Sequence, residues 1–306
     1  MQMTYLELNN GVKIPAIGIG PGILNYQTKF TYGGNRVLSL MERAYNRVYG
    51  RRSQDKQYVN SVAHSLTAGF HLLDFSATYG NEYLIGEAIE KSRLSREMLF
   101  LTTRVSNKQQ LKRNIKEELF RTLDNYKTDY VDLYMFHWPV TGVYCDTWKQ
   151  MEQLYQEGYC RAIGVANCHI HHLEEILQVA EVIPAVNQIE IHPLFTQKPL
   201  ITYCQSKTIT VEAYTAIARF DDRLIRLPNL QKIAGIHSKS MAQILLRWHI
   251  QNGIIPIVRS QNKKRQLENI SIFDFELTPE EMRTIDGFNI DSRLRYDPDN
   301  CDFSIL

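Results

Sequence analysis

Three apolar runs in this 306-residue chain carry, at or near their ends, side chains that apolar runs do not normally hold without a reason. "FHLLDFS" carries Asp74, "MLFLTTR" ends on Arg104, and "YVDLYMFH" ends on His137. Arginine cannot shed its charge inside a protein, and a charge beside apolar residues needs a partner or a task. Tyr79 lies five residues past Asp74, and Asn81 and Glu82 follow as openers of a helix. Taken singly, each strand end reads as an ordinary polar terminus satisfied locally. An aspartate, a cation, an imidazole and a phenol brought to one place would be a proton-transfer site. A phenol with a reference pKa near 10 is a usable acid but a poor base, and nearby positive charge lowers that value.

The elements that would position them recur along the chain. Eight short apolar runs, PAIGIG, FHLLDFS, MLFLTT, YVDLYMF, RAIGVA, PAVNQI, ITVEAY and GIIPIV, alternate with longer amphipathic stretches. "NEYLIGEAIEKSRL", "LKRNIKEELFRTLDNY", "TWKQMEQLYQEG" and "HHLEEILQVAEV" place apolar residues at helical spacing. This alternation predicts a parallel α/β protein with strands buried on both faces. Eight units favour a closed (β/α)8 TIM barrel, with an open doubly wound sheet as the competing arrangement. In a barrel, the strand ends bearing Asp74, Arg104 and His137 converge on one face.

The opening "YLELNNGVKIPAIGIG" reads as an N-terminal β-hairpin turned at Asn-Asn-Gly. Residues 1–306 read as a single domain, with an insertion over 23–57 after the first barrel strand and a C-terminal tail loop over 287–306. The insertion contains "RVLSLMERAYNRVYG", a short basic amphipathic helix. It is a lid, substrate cover or oligomer contact on the catalytic face, or a helix simply packed on the barrel side.

Bulk composition narrows the partners. With 44% hydrophobic and 22% charged residues, a large core is within reach. A net charge of +2 argues against a nucleic-acid surface. Five cysteines without CxxC spacing suit a reducing compartment. The N-terminus lacks the pattern of a signal peptide, and no run approaches the roughly 20 residues that span a bilayer. A cytoplasmic protein without membrane contact is expected, as a monomer or weak homo-oligomer.

Two motifs invite readings that their context weakens. "GIGPG" (Gly18 to Gly22) has Pro21 where a dinucleotide-binding fingerprint needs a helix to open, so a tight turn explains the glycines better. "HIHH" (His169, His171, His172) suggests a metal, but adjacent histidines point in different directions. A helix start capped by Asn167 is the expectation, with no metal site.

The ordered blocks resemble the aldo-keto reductases over nearly the whole chain outside the insertion. They are "LNNGVKIPAIGIG", Asp74 to Glu82, "LYMFHWP", "GYCRAIGVANC", "PAVNQIEIHP", "VEAY", "QILLRWHIQNGIIPIVRS" and "KRQLENISIFDFELTPEEM". That family's fold is the (β/α)8 barrel. The resemblance implies reduction of an aldehyde or ketone by hydride transfer from NADPH, bound extended and without a Rossmann domain. It makes Tyr79 the general acid, His137 the residue that orients the carbonyl, and Asp74 the holder of the cation on the third strand. That cation is Arg104 where the family has lysine. Asp74 is expected to hold it in a two-point bridge.

The resemblance further places Asn167 and Gln188 at the nicotinamide carboxamide, with Ala166 where serine is usual, and Tyr214 against the nicotinamide ring. Arg259, Ser260 and Arg265 would take the 2′-phosphate, with Glu268 and Asn269 at the adenine. Paired guanidiniums suit a phosphate dianion, which favours NADPH over NADH. The loops that would choose the small-molecule carbonyl substrate mix Tyr, Phe and Arg. They fit a polar or anionic compound or a bulky aromatic one. The alternative function is an NADPH-binding sensor or scaffold with weak or lost catalysis.

Overall fold

A computed structural model describes residues 4–22, 24 and 51–303. Strands β1 (Tyr5–Glu7) and β2 (Lys13–Pro15) pair antiparallel. Their turn is closed by the Leu8 N–H to Val12 carbonyl bond of 2.9 Å, with Gly11 at a positive φ of 82° that favours glycine. This is the expected hairpin. The Asn9 and Asn10 side chains donate to the carbonyls of Pro184 and Arg161 and so fasten the hairpin beneath the barrel.

The barrel itself comprises β3 (Gly18–Ile19), β4 (Leu72–Asp74), β5 (Phe100–Val105), β6 (Val131–Phe136), β7 (Cys160–Ala166), β8 (Val186–Glu190), β9 (Thr210–Tyr214) and β10 (Ile255–Val258). They run parallel in that order, and β10 closes on β3. Each lies within or beside one of the eight apolar runs, and the open sheet is excluded. Gly18 sits where a Cβ would meet Leu72 and Ile257 side-chain carbons at 2.6–2.7 Å, so the first strand packs there only as glycine. No helix opens at "GIGPG"; Gly20 N–H instead donates to the Val258 carbonyl at 2.8 Å.

Side chains alternate along a strand, so every second residue enters the barrel. Leu8 and Ile14 of the hairpin region join Leu72, Phe100, Leu133, Met135, Ala162, Val186, Ile255 and Ile257 in one interior cluster. The larger core lies between the strands and the helices outside them. With the N-terminal end of the barrel filled and capped, chemistry is left to the opposite end.

Two helices differ from the sequence reading. The stretch 111–126 is not one helix: Asn107–Lys112 ends at Arg113, whose φ is 58°, and Ile115–Tyr126 begins anew. The helix after β7 is Ile170–Val179, with His169 rather than Asn167 at its N-cap. Asn167 has a φ of 62° and turns its side chain inward instead. Of the insertion over 23–57, only Leu24 and residues 51–57 are described, and the latter belong to helix Arg51–Thr67. The amphipathic segment read from "RVLSLMERAYNRVYG" lies outside the described residues.

Candidate active site

Alternation decides which side chains meet at the open end. On β4, Leu72 points in and so does Asp74. On β5, Phe100, Thr102 and Arg104 share that parity, as do Leu133, Met135 and His137 in and beyond β6. Each polar group stands on the column of an interior apolar residue, one layer higher.

Arg104 is 2% exposed and committed on several sides. Its Nη1 donates to the Phe75 carbonyl at 2.9 Å. Its Nη2 pairs with Asp74 Oδ1 and donates to Gln188 Oε1 at 2.6 Å. The bridge to Asp74 therefore runs through one nitrogen and not two. Arginine's reach carries the second Nη to a backbone carbonyl instead. Gln188 is drawn into this cluster at both ends, since its Nε2 donates to Asp74 Oδ1 at 3.1 Å and to Glu212 Oε2 at 2.8 Å.

Glu212, on β9, was not singled out in the sequence, although an acid inside "ITVEAY" is the same kind of signal as Asp74. It is fully buried, and burial together with the Asp74 charge pushes its carboxyl up to about 8. At neutral pH it holds its proton, which leaves Asp74 and Arg104 as a neutralised pair.

Tyr79 is aimed by its turn. Ser76 Oγ accepts the Thr78 N–H at 3.3 Å, a single 3-10 turn covers Ala77–Tyr79, and Gly80 closes it at a φ of 70°. The phenol ring meets Phe75 edge-on at 5.1 Å and His137 at 6.2 Å between centroids. Burial holds its pKa above the ordinary tyrosine value, and Arg104 pulls against that. The expected lowering by the cation is present but outweighed by desolvation. Tyr79 is thus a protonated acid across the physiological range.

His137 is held low, at about 3, by burial and then by the charges of Arg104 and Arg295. Its imidazole is neutral. Nδ1 lies 3.4 Å from both Ser76 Oγ and Thr78 Oγ1, two hydroxyls that can donate to it. When Nδ1 accepts from one of them, the proton sits on Nε2, where it can donate into the site. Ser76 and Thr78 were also missed in the sequence, where they look like ordinary turn residues.

Asn167 joins three strand ends. Its Nδ2 donates to the His137 carbonyl at 2.9 Å, and its Oδ1 accepts the Tyr214 hydroxyl at 2.7 Å. The Tyr214 ring is fixed in orientation by that bond. Ala166 pairs in register with Gln188.

The residues matched to the adenosine phosphate follow β10: Arg259 and Ser260 come just after the strand, and Arg265, Glu268 and Asn269 lie on helix Lys263–Ile270, capped by Asn262. Its first turn carries exposed Lys263, Lys264 and Arg265 and no acid. A helix N-terminus favours anions, so three cations there repel both the dipole and one another until an anion binds. Ser260 Oγ exchanges hydrogen bonds with the Asn262 backbone, and the Arg259 side chain lies against Gly22. Asn269 is buried and Glu268 half-buried on the same helix. The donor set fits a phosphorylated nucleotide.

The C-terminal tail crosses this face. Ile290 and Ser292 N–H groups donate to the Leu194 carbonyl, and the Leu294 and Arg295 N–H groups to the Glu190 carboxylate at 2.6 and 3.0 Å. Further on, Asn107 donates to the Phe303 carbonyl at 3.3 Å.

The tail also explains "HIHH". Asp299 Oδ2 lies 2.7 Å from His169 Nδ1, and Oδ1 lies 3.2 and 3.5 Å from Nε2 of His171 and His172. The rings of His171 and His172 are 3.9 Å apart, so the expectation that they diverge is wrong; one carboxylate gathers them. Behind them, Arg293 faces His169 Nε2 at 3.1 Å, and His172 Nδ1 accepts the His169 N–H at 3.1 Å. Those two rings therefore turn N–H groups toward Asp299, whereas a metal needs lone pairs. The cluster is a seat for the tail's carboxylate.

Among the described residues, no helix is long and apolar enough to cross a membrane. The family model described as "Aldo/keto reductase family" matches residues 44–290. The chain is 43% identical to the uncharacterized oxidoreductase YtbE of Bacillus subtilis (strain 168), covering 97% of this chain and 96% of that protein. It is 42% identical to the glyoxal reductase of the same organism, covering 97% of each. Among solved structures, an aldo-keto reductase of Bombyx mori in complex with NADP superposes with a TM-score of 0.82 at 30% identity, covering 98% of this chain and 97% of that one.

Proposed function

Because this chain belongs to the aldo/keto reductase family, we propose that it reduces a small-molecule aldehyde or ketone to the alcohol with NADPH, Tyr79 acting as general acid. The observation that carries this reading is the meeting of a protonated Tyr79, a neutral His137 and the Asp74–Arg104 pair at one end of the barrel. NADPH, when bound, supplies the hydride that the carbonyl carbon receives.

The chain's own residues do the rest. His137 Nε2–H donates to the carbonyl oxygen and sets it beside the Tyr79 hydroxyl. Tyr79 gives that oxygen its proton as negative charge develops there, and regains one from solvent. Arg104 eases the transient tyrosinate through its charge alone, because it has no proton to lend. Asn167, Gln188 and Tyr214 would hold the nicotinamide end. Arg259, Ser260 and Arg265 would take the 2′-phosphate, and Glu268 and Asn269 the adenine. In this structure Gln188 is engaged by Arg104, so binding there requires it to share or exchange that bond.

A sensor without catalysis has no need of a correctly aimed acid, which makes it the weaker reading. The same reading takes residues 1–306 as one domain, with the 23–57 insertion and the 287–306 tail on the catalytic face. It takes the protein as cytoplasmic, a monomer or weak homo-oligomer, and without a nucleic-acid partner. Mixing the protein with NADPH and a panel of aldehydes while following absorbance at 340 nm tests the function. Steady loss of absorbance is expected. Cofactor quenching of tryptophan fluorescence without turnover would favour the sensor.

A further inference from the structure

The proposed chemistry uses Asp74, Arg104 and Gln188 and leaves Glu212 without a task. Glu212 stands on β9, two residues before Tyr214 on the same strand face. It is fully buried, in register with Gln188 of β8 on one side and with the interior residue Ile255 of β10 on the other. Its Oε2 accepts from Gln188 Nε2 at 2.8 Å, and the same Nε2 donates to Asp74 Oδ1 at 3.1 Å. One amide thus bridges two carboxyl groups. The oxygen of that amide takes the Arg104 Nη2 that also holds Asp74. The other carboxyl oxygen of Glu212 has no hydrogen-bond partner among the described residues.

The charged groups that face Glu212 come from two strands, Asp74 from β4 and Arg104 from β5. From β8 it meets the neutral Gln188 amide, and from β10 the residues in register are Ile255 and Pro256. Two buried acids therefore share one buried cation. With both ionised, a negative charge would be stranded in the barrel interior with a single amide donor. One proton stays on the pair, and it belongs to Glu212 because Asp74 has the guanidinium. While that proton is held, only Asp74 draws on the charge that Arg104 presents to Tyr79. Once it leaves for solvent, a second carboxylate draws on the same guanidinium. The phenol oxygen then gives up its own proton less readily.

We propose that Glu212 is a positioning residue for the proton donor: acting through Gln188 and Arg104, its bound proton keeps the Arg104 charge available to Tyr79, and losing that proton slows carbonyl reduction. The inference rests on the reductase reading above and gives it a pH dependence. Glu212 touches no substrate, and its proton is not the one that Tyr79 transfers. Other groups of the site titrate elsewhere. His137 is held at about 3, and Tyr79 lies above the ordinary tyrosine value. Arg259 and Arg295, whose charges Tyr79 also feels, keep those charges throughout. A break near pH 8 is therefore the signature of Glu212.

The test is single-turnover oxidation of bound NADPH by butanal between pH 6 and 9.5 in the full-length protein. The native rate should fall by about 3–30-fold through a break near pH 8. Glu212→Gln, neutral at every pH, should keep its pH 6 rate up to pH 9.5, and Glu212→Asp should restore a break. Carbon-13 NMR of protein labelled at the glutamate carboxyls reads the proton directly. One resonance, missing from Glu212→Gln, should titrate with a midpoint near 8. If that resonance is already in its ionised position at pH 6, the inference is overturned. A flat native rate profile, or a break that persists in Glu212→Gln, also overturns it and leaves the reductase reading intact. Absence of turnover of every aldehyde tried by native protein that binds NADPH overturns the reductase reading and this inference with it.

Discussion

The Asp74–Arg104 pair permits a quantitative prediction. Arg104→Met deletes the cation and three hydrogen bonds, to Phe75, Asp74 and Gln188. Asp74 is then left buried with Gln188 Nε2 as its remaining side-chain donor. Breaking one side of a buried pair costs about 3–5 kcal/mol, because a charge is stranded. Asp74→Asn alone strands the guanidinium and should cost a similar amount. The double variant strands neither charge, so its loss should fall short of the sum of the two by at least about 2 kcal/mol. Urea denaturation of the four proteins measures this. Additivity within about 0.5 kcal/mol would refute the claim that the two groups act as a unit. In the alcohol-oxidation direction, Arg104→Met removes the charge that eases tyrosinate formation. Each unit by which the Tyr79 pKa rises then costs about tenfold in oxidation rate below that pKa, with a smaller effect on carbonyl reduction.

Further predictions follow from the same geometry. Arg104→Lys keeps the charge on a shorter stem, so carbonyl reduction should survive while the pH profile of alcohol oxidation moves; identical profiles in both directions would remove this position from the tuning of Tyr79. Glu212 has a folded pKa of about 8, above the ordinary carboxyl value, so the folded state holds a proton that the unfolded chain releases. Stability from this group is therefore fully present below about pH 4 and declines as pH rises toward 8. Glu212→Gln should remove that decline, gaining on the native protein by several kcal/mol between pH 5 and 8 at about 1.4 kcal/mol per pH unit, read as a widening difference in melting temperature; parallel curves would contradict the assignment. Replacing Arg259 and Arg265 together by alanine should weaken NADPH binding by about 10–100-fold and NADH binding little, by fluorescence titration. Equal losses for both cofactors would place the 2′-phosphate elsewhere.

Much of this site was legible because strand parity is a sequence property. Asp74, Arg104 and His137 stand on the same alternating column as Leu72, Phe100 and Met135, and a closed barrel brings such columns to one mouth. What the sequence could not convey depended on reach and on distant partners. Arginine's length sent Arg104 to the Phe75 carbonyl and Gln188 instead of a second Asp74 oxygen. Burial outweighed Arg104 at Tyr79, a balance of two opposing effects with no trace in residue spacing. Asn167 reads as a cap in sequence because its left-handed backbone has no signature in "GVANC". Asp299 lies 130 residues beyond His169 in sequence, so only the fold could reveal what gathers the three histidines.

The central claim is that Tyr79 is the proton donor of an NADPH-dependent carbonyl reduction. Its most direct test is Tyr79→Phe, which deletes one oxygen and keeps the ring against Phe75 and His137. Single-turnover oxidation of bound NADPH by an aldehyde should slow by about 10²–10⁴-fold while NADPH quenching of tryptophan fluorescence is unchanged. A variant that binds NADPH and reduces the aldehyde at the native rate would contradict the account.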